Sequence, residues 1–149
     1  MRALMQRVQR GAVTVDHDVI REIGHGWIVL VGVTATDAED TADRLAERAA
    51  NLRCFSDSDG KMNLSALDIR AEMLVISQFT LYADTARGRR PSFVQAAPPD
   101  QADPLVNRFA QRLRDLGLRV ETGHFGAHMI VEIVNDGPVT IMLDSEDRR

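Results

Sequence analysis

Nonpolar and polar positions alternate, or cluster in short apolar runs, through the first 33 residues. Segments 2–9 (RALMQRVQ) and 12–15 (AVTV) carry β-type residues on either side of Gly11, which reads as a turn point. Segment 18–23 continues the strand pattern, and Gly24-His25-Gly26 suits a hairpin. Trp27–Val33 (WIVLVGV) is almost wholly apolar, which predicts a strand buried on both faces. The spacing then changes. Thr36-x-x-Glu39 has the form of a capping box, and Ala42, Leu45, Ala46 and Ala49 recur at helical intervals, predicting a first helix. Residues 72–82 read as one strand with Met73–Ile76 as its buried middle. Residues 83–104, rich in Pro, Gly, Arg and Ala, read as a long connection, and such loops are often functional. Asp103-Pro104 suits the start of a second helix, with Val106, Phe109, Ala110, Leu113 and Leu116 on its buried side and Gly117 at its end. Two further strands are expected at 127–134 and 139–143, separated by Asn135-Asp136-Gly137-Pro138. The order predicts a single α/β (α+β) domain over 1–149, with a mainly antiparallel sheet and helices packed on it.

Composition narrows the class. The 149 residues are 44% hydrophobic and 27% charged, as in ordinary globular proteins. No apolar run reaches the length of a membrane span, and the N-terminal stretch lacks a signal-peptide core. One cysteine, Cys54, precludes an intrachain disulfide and fits a reducing cytosol. The net charge of −4 argues against a broad nucleic-acid surface, leaving Arg87-Gly88-Arg89-Arg90 as the densest local basic cluster. Asp57-Ser58-Asp59-Gly60 resembles half of a calcium loop, but Asp68 rather than Glu stands at the twelfth position, and a turn is the reading that fits.

Candidate chemistry concentrates in two stretches. The first is Ser77-Gln78-Phe79-Thr80-Leu81-Tyr82. On a strand, Gln78, Thr80 and Tyr82 would share one face, and this pattern alone favours a strand end entering water. The same hydroxyls, amide and backbone N–H groups would also suit an oxyanion during ester hydrolysis. A nucleophilic Ser77 or Thr80 needs a base, yet His17, His25, His124 and His128 stand in no triad motif and G-x-S-x-G is absent. His124-x-x-x-His128 has metal-like spacing, but Gly123 and Gly126 disfavour a helix there, and no metal is expected. The second stretch is Asn135-Asp136-Gly137-Pro138-Val139-Thr140. It suits a tight turn, and its Gly-Pro bond is a place where a cis peptide is cheap and a ligand can approach the backbone closely.

SQFTLY at 77–82 together with NDGPVT at 135–140 resembles the D-aminoacyl-tRNA deacylases, formerly called D-tyrosyl-tRNA deacylases. QRVQRGAVTV, NLRCFSDSDGKMNLS, RGRRPSF and GHFGAHM are similar too, so the resemblance spans essentially the whole chain. It implies a cytoplasmic homodimer that needs no cofactor. Such a dimer hydrolyses the ester between a D-amino acid, or mischarged glycine, and the 3′ end of tRNA. It implies a sheet curling toward a barrel and an active site at the dimer interface. By resemblance, Ser77, Gln78, Phe79 and Thr80 line the pocket, with backbone N–H groups near Phe79 as oxyanion donors. Gly137 and Pro138 of the partner subunit, joined by a cis peptide, read chirality by clashing with an L side chain. Arg7 holds that Gly-Pro, Phe125 and Met129 stand near the pocket, and Arg87, Arg89 and Arg90, with Lys61, are left to contact tRNA. Thr80 matches a residue once regarded as the nucleophile, whereas catalysis assisted by the 2′-hydroxyl of the terminal adenosine needs no triad. A non-enzymatic binding module and a metal-dependent esterase using His124 and His128 are the rival readings.

Overall fold

The computed structural model describes residues 1–147, and for Val19 and Ile20 the backbone alone. In chain order it forms β1 (Arg2–Val15), β2 (Asp18–Ile23), β3 (Gly26–Gly32), α1 (Glu39–Asn51), β4 (Phe55–Ser56) and β5 (Met62–Leu64). Then come α2 (Ala66–Ile69), β6 (Glu72–Ser77), a 3-10 turn (Phe79–Tyr82), α3 (Pro99–Asp115), β7 (Arg119–Thr122) and β8 (Ile130–Asp144). The main sheet runs β2-β1-β3-β6-β7, with β8 added on β1. β1 pairs antiparallel with β2, β3 and β8, while β3/β6 and β6/β7 are parallel. The sheet is therefore mixed, with antiparallel pairings in the majority. Residues 2–6 and Val8 of β1 pair with both β3 and β8, so these two strands occupy opposite edges of β1. An ion pair between Arg21 of β2 and Glu121 of β7, 3.2 Å apart, joins the two ends of the order. The sheet curls nearly into a barrel.

Parallel pairing explains the apolar runs. Parallel strands need long crossovers, which lay helices over the sheet and bury its strands on both faces. Trp27, Val29 and Val31 of β3, with Met73 and Val75 of β6, face Leu45, Ala46, Phe109 and Leu113 of the helices. The intervening Ile28, Leu74 and Ile76 join Val8, Val13 and Ile23 inside the curl. The expectation that WIVLVGV is buried on both faces holds. α1 and α3 are tied across their surfaces by the guanidinium of Arg108, which donates twice to Asp43 at 2.7 Å, and by Arg112 on Glu47 at 2.6 Å.

Several boundaries differ from expectation. Gly11 is not a turn but lies within β1, opposite Ile23 and Ile133. A Cβ there would lie 2.6 Å from Ile28 Cδ1, so the glycine serves close packing inside the curl. α1 begins at Glu39 without the Thr36–Glu39 box. Asp37 accepts from the Thr34 N–H and from the Met1 ammonium, and the Ala38 N–H donates to Thr41 Oγ1. α3 begins at Pro99, so Pro104 sits inside the helix. The strand expected at 72–82 ends at Ser77, and the two strands expected after 127 are one. β4, β5, α2 and β7 had no distinct signal. They have two to four residues each, too few to show a period. Asp57–Gly60 forms the expected turn: the Asp57 carboxylate accepts from the N–H groups of Asp59 and Lys61, and Gly60 takes φ +77°.

Candidate active site

The sheet delivers Ser77 to the end of β6, opposite Val31 of β3. The Gln78 N–H donates to the Val31 carbonyl at 2.7 Å, and the chain then leaves the sheet in a 3-10 turn closed by the Ala83 N–H on Thr80 O at 3.0 Å. Gly32 lets this turn sit close: a Cβ there would lie 3.0 Å from Leu81 Cβ and 3.1 Å from the Gln78 carbonyl. The two-faced alternation expected of a strand is therefore lost. Phe79 is 54% exposed although apolar, Thr80 is exposed, and Tyr82 is buried. Burial pushes the Tyr82 hydroxyl far above its usual range. The N–H groups of Phe79 and Thr80 open the turn, where no preceding carbonyl of the turn can accept them. Gln78 Nε2 donates to Thr80 Oγ1, fixing the amide and the hydroxyl together.

A cleft of about 580 Å³ opens beside this turn. Ser77, Gln78 and Phe79 form one side, and Phe125, His128 and Met129 the other. Ile76 and Val131 line it from the sheet with Val33 just after β3, Phe93 and Ala97 from the segment leading into α3, and Ala102 from the start of α3 itself. The Phe79 and Phe93 rings meet edge to face, centroids 5.0 Å apart. The loop bearing Phe125 is held by the Gly123 N–H on Val75 O at 3.1 Å and by the Ala127 N–H on His124 O at 3.2 Å. A mainly apolar cleft with a few fixed polar groups is the usual form of a small-ligand site.

The cleft thus joins five expected residues, Ser77, Gln78, Phe79, Phe125 and Met129. Thr80 is adjacent in the chain but does not line it. Phe93 was not anticipated as a lining residue, and His128 was expected at a site only in the rival metal-dependent esterase reading. The signals for them were the histidine beside Met129 and the unusual length of the 83–104 connection. His124 lies in a loop, exposed. Among the described residues no three His, Cys, Asp or Glu side chains converge to hold a metal ion.

Gly137 and Pro138 do not line this cleft. They lie within β8, not in a turn between strands. β1/β8 pairing passes from Val8↔Asn135 directly to Gln6↔Thr140, so residues 136–139 bulge out opposite Arg7. The Gly137-Pro138 peptide is cis, and Gly137 has φ +128°. Asn135 closes the bulge, its Oδ1 accepting from the Val139 N–H at 3.0 Å and its Nδ2 donating to Thr140 Oγ1 at 3.2 Å. Arg7 anchors it. Its Nε reaches the Asp136 carbonyl at 3.3 Å, and its Nη1 donates to the Cys54 carbonyl at 2.6 Å. Burial pushes the Cys54 thiol up, away from thiolate chemistry. Arg87, Arg89 and Arg90 are exposed on the segment between Asp84 and Ser92, whose backbones exchange hydrogen bonds at 2.7 and 2.9 Å. Phe93 follows directly, so the basic segment adjoins the cleft wall in sequence.

Residues 4–144 match the model of a family described as D-Tyr-tRNA(Tyr) deacylase. A D-aminoacyl-tRNA deacylase of Thermomicrobium roseum is 58% identical over 149 residues, covering 100% of this chain and 97% of that one. One from Symbiobacterium thermophilum is 57% identical over 146 residues, covering 98% and 97%. A solved structure titled c-Myc DNA Unwinding Element Binding Protein superposes with a TM-score of 0.92 at 40% identity, covering 99% of this chain and 100% of that one. One described as a probable eukaryotic D-amino acid tRNA deacylase shares the fold, with a TM-score of 0.82 at 18% identity, covering 95% and 97%.

Proposed function

The chain belongs to the D-Tyr-tRNA(Tyr) deacylase family, and on that premise we propose that it hydrolyses the ester joining a D-amino acid to the 3′ end of tRNA. Free tRNA and the D-amino acid are the products. The observation that carries this reading is the cleft in which Ser77, Gln78 and Phe79 meet an apolar chamber, with Phe79 opening a turn whose first N–H groups find no acceptor within the turn itself. Water attacks the ester carbonyl, and the carbonyl oxygen gathers negative charge. The N–H groups of Phe79 and Thr80 stabilise that charge, which is usually among the largest contributions to acyl transfer. The Thr80 hydroxyl already accepts from Gln78, which leaves its proton free to donate. It then acts as a hydrogen-bond donor to the substrate, while the vicinal 2′-hydroxyl of the terminal adenosine assists the reaction. No cofactor enters this scheme.

Selectivity follows from the second stretch. In this reading one domain spans 1–149, two copies form a cytoplasmic homodimer, and Gly137 and Pro138 of one copy reach into the cleft of the other. Two observations support it. The bulge projects from β8, and β8 exposes Ile130 at 63% together with Val134 and Met142, an apolar surface suited to a second copy. A main-chain wall excludes any L side chain by steric clash while ignoring which D side chain is present. Glycine, lacking a Cβ, passes the same test, so mischarged glycyl-tRNA is also a substrate. Arg87, Arg89, Arg90 and Lys61 contact the tRNA backbone, making binding fall with added salt.

The test is deacylation of D-tyrosyl-tRNA against L-tyrosyl-tRNA by the wild type and Thr80→Ala, with and without chelator. Rapid loss of the D ester alone, untouched by chelator, is expected. Hydrolysis of neither ester above background refutes the reading and leaves a binding module. Loss of both esters, abolished by chelator, points to a metal-dependent esterase.

A further inference from the structure

The Phe79–Tyr82 turn meets the cleft at Phe79 and keeps its shape only while its far end stays in place. Within a 3-10 turn the last carbonyls lack N–H partners. The Ala83 N–H donates to that of Thr80, and the carbonyl of Leu81 accepts from a side chain at the start of the chain: Arg2 Nη1 donates to it at 2.9 Å. The same guanidinium donates through Nε to Asp144 Oδ2 at 2.9 Å and lies over the Tyr82 ring, 4.6 Å from its centroid. The sheet explains the convergence. Arg2 is the register partner of Gly32 on β3 and of Asp144 on β8, so the three form one row across three strands. Gly32 is the residue on which the turn rests, and Asp144 orients the arginine above it.

We propose that Arg2 is a positioning residue for the reaction: oriented by Asp144, it clamps the Leu81 carbonyl and so fixes the N–H groups of Phe79 and Thr80 toward the scissile ester. This rests on the deacylase reading. Gln78, hydrogen-bonded to Val31, pins the turn where it begins, and Arg2 pins it where it ends. A surface ion pair without such a role contributes little. A guanidinium spanning a carbonyl, a carboxylate and an aromatic face sets a geometry that an ammonium meets only in part.

The variants are Arg2→Gln, Arg2→Lys and, as a control on the same strand, Arg10→Gln, which removes an exposed pairing with Glu132 and Glu22. At a temperature where all are folded, Arg2→Gln is expected to lower kcat on D-tyrosyl-tRNA by roughly tenfold with KM nearly unchanged, Arg2→Lys to recover part of it, and Arg10→Gln to match the wild type. Hydrogen exchange gives a readout independent of turnover: the Leu81 and Ala83 amides should exchange roughly tenfold faster in Arg2→Gln. An unchanged kcat in folded Arg2→Gln, unchanged exchange at those amides, or an equal kcat loss in Arg10→Gln overturns the proposal. If the wild type deacylates nothing, the deacylase reading falls and the positioning role with it, while the exchange data still report whether the clamp exists.

Discussion

Arg7 Nε lies 3.2 Å from Asp136 Oδ2 and 3.3 Å from the carbonyl oxygen of the same residue, so one guanidinium holds both the side chain and the backbone immediately before Gly137. The Arg7 side chain is only 11% exposed, which leaves little water to replace these partners. Replacing it with Met would strand the Asp136 carboxylate and the Cys54 carbonyl. We expect a loss of about 2–3 kcal/mol in urea-induced unfolding, with Lys intermediate because it lacks the fork. In the deacylase reading the same variant also loosens discrimination between D and L esters.

Gly137→Ala tests the bulge itself. At φ +128° an L side chain is strained, and its Cβ would lie 2.7 Å from Val139 Cγ2 and 2.9 Å from the Val139 nitrogen. A cost of about 1–3 kcal/mol is expected by denaturant titration. Pro138→Ala removes the ring that the second copy would present. Its D over L preference should shrink, and unchanged selectivity in that variant would remove Gly-Pro from the mechanism.

Gly26→Ala should abolish folding rather than alter activity. Its Cβ would fall 1.8 Å from the Glu72 carbonyl oxygen and 2.8 Å from the Glu72 nitrogen, inside the parallel β3/β6 pairing. Neither backbone can yield without breaking the sheet, so the penalty exceeds about 4 kcal/mol. Loss of a cooperative melting transition is the expected result. Gly60→Ala is the contrast: φ is +77° but nothing lies within 4 Å, and only a cost of about 1 kcal/mol is expected.

Acid should unfold the protein partly through Asp43 and Asp144. The Arg108 hydrogen bonds hold the Asp43 carboxyl below its usual value. Burial raises that of Asp144, but the Glu146 N–H and Arg2 outweigh it, and the net shift is downward. A depressed folded-state value means that the stabilisation is present above the ordinary carboxylate range and is lost as pH falls through the folded one. The melting temperature should hold above about pH 5 and drop below about pH 4. Asp43→Asn should melt lower at neutral pH and show a smaller acid-induced drop. An acid drop as large as the wild type's would show that Asp43 contributes nothing to it.

The helices and the doubly buried strands were legible because their signals are local. Ala42, Leu45 and Ala46 follow the helical period, and WIVLVGV is apolar on both faces because the helices cover one face and the interior of the curl the other. Gln78–Tyr82 was misread as strand because its departure from the sheet depends on Gly32 of β3 and Arg2 of β1, both distant in sequence.

The sequence by itself determined which residue types carry the chemistry. SQFT and NDGPVT stand out as polar or Gly-Pro interruptions in apolar surroundings, and that contrast is local. Only the tertiary structure decided how they are used. It folded Phe125 and Met129 over the end of β6 to make a cleft, and it turned NDGP from a hairpin turn into a bulge anchored by Arg7. The physical reason is strand register. Whether four residues reverse the chain or bulge from it depends on what the neighbouring strand offers, and here β1 continues past them with Arg7 facing the gap.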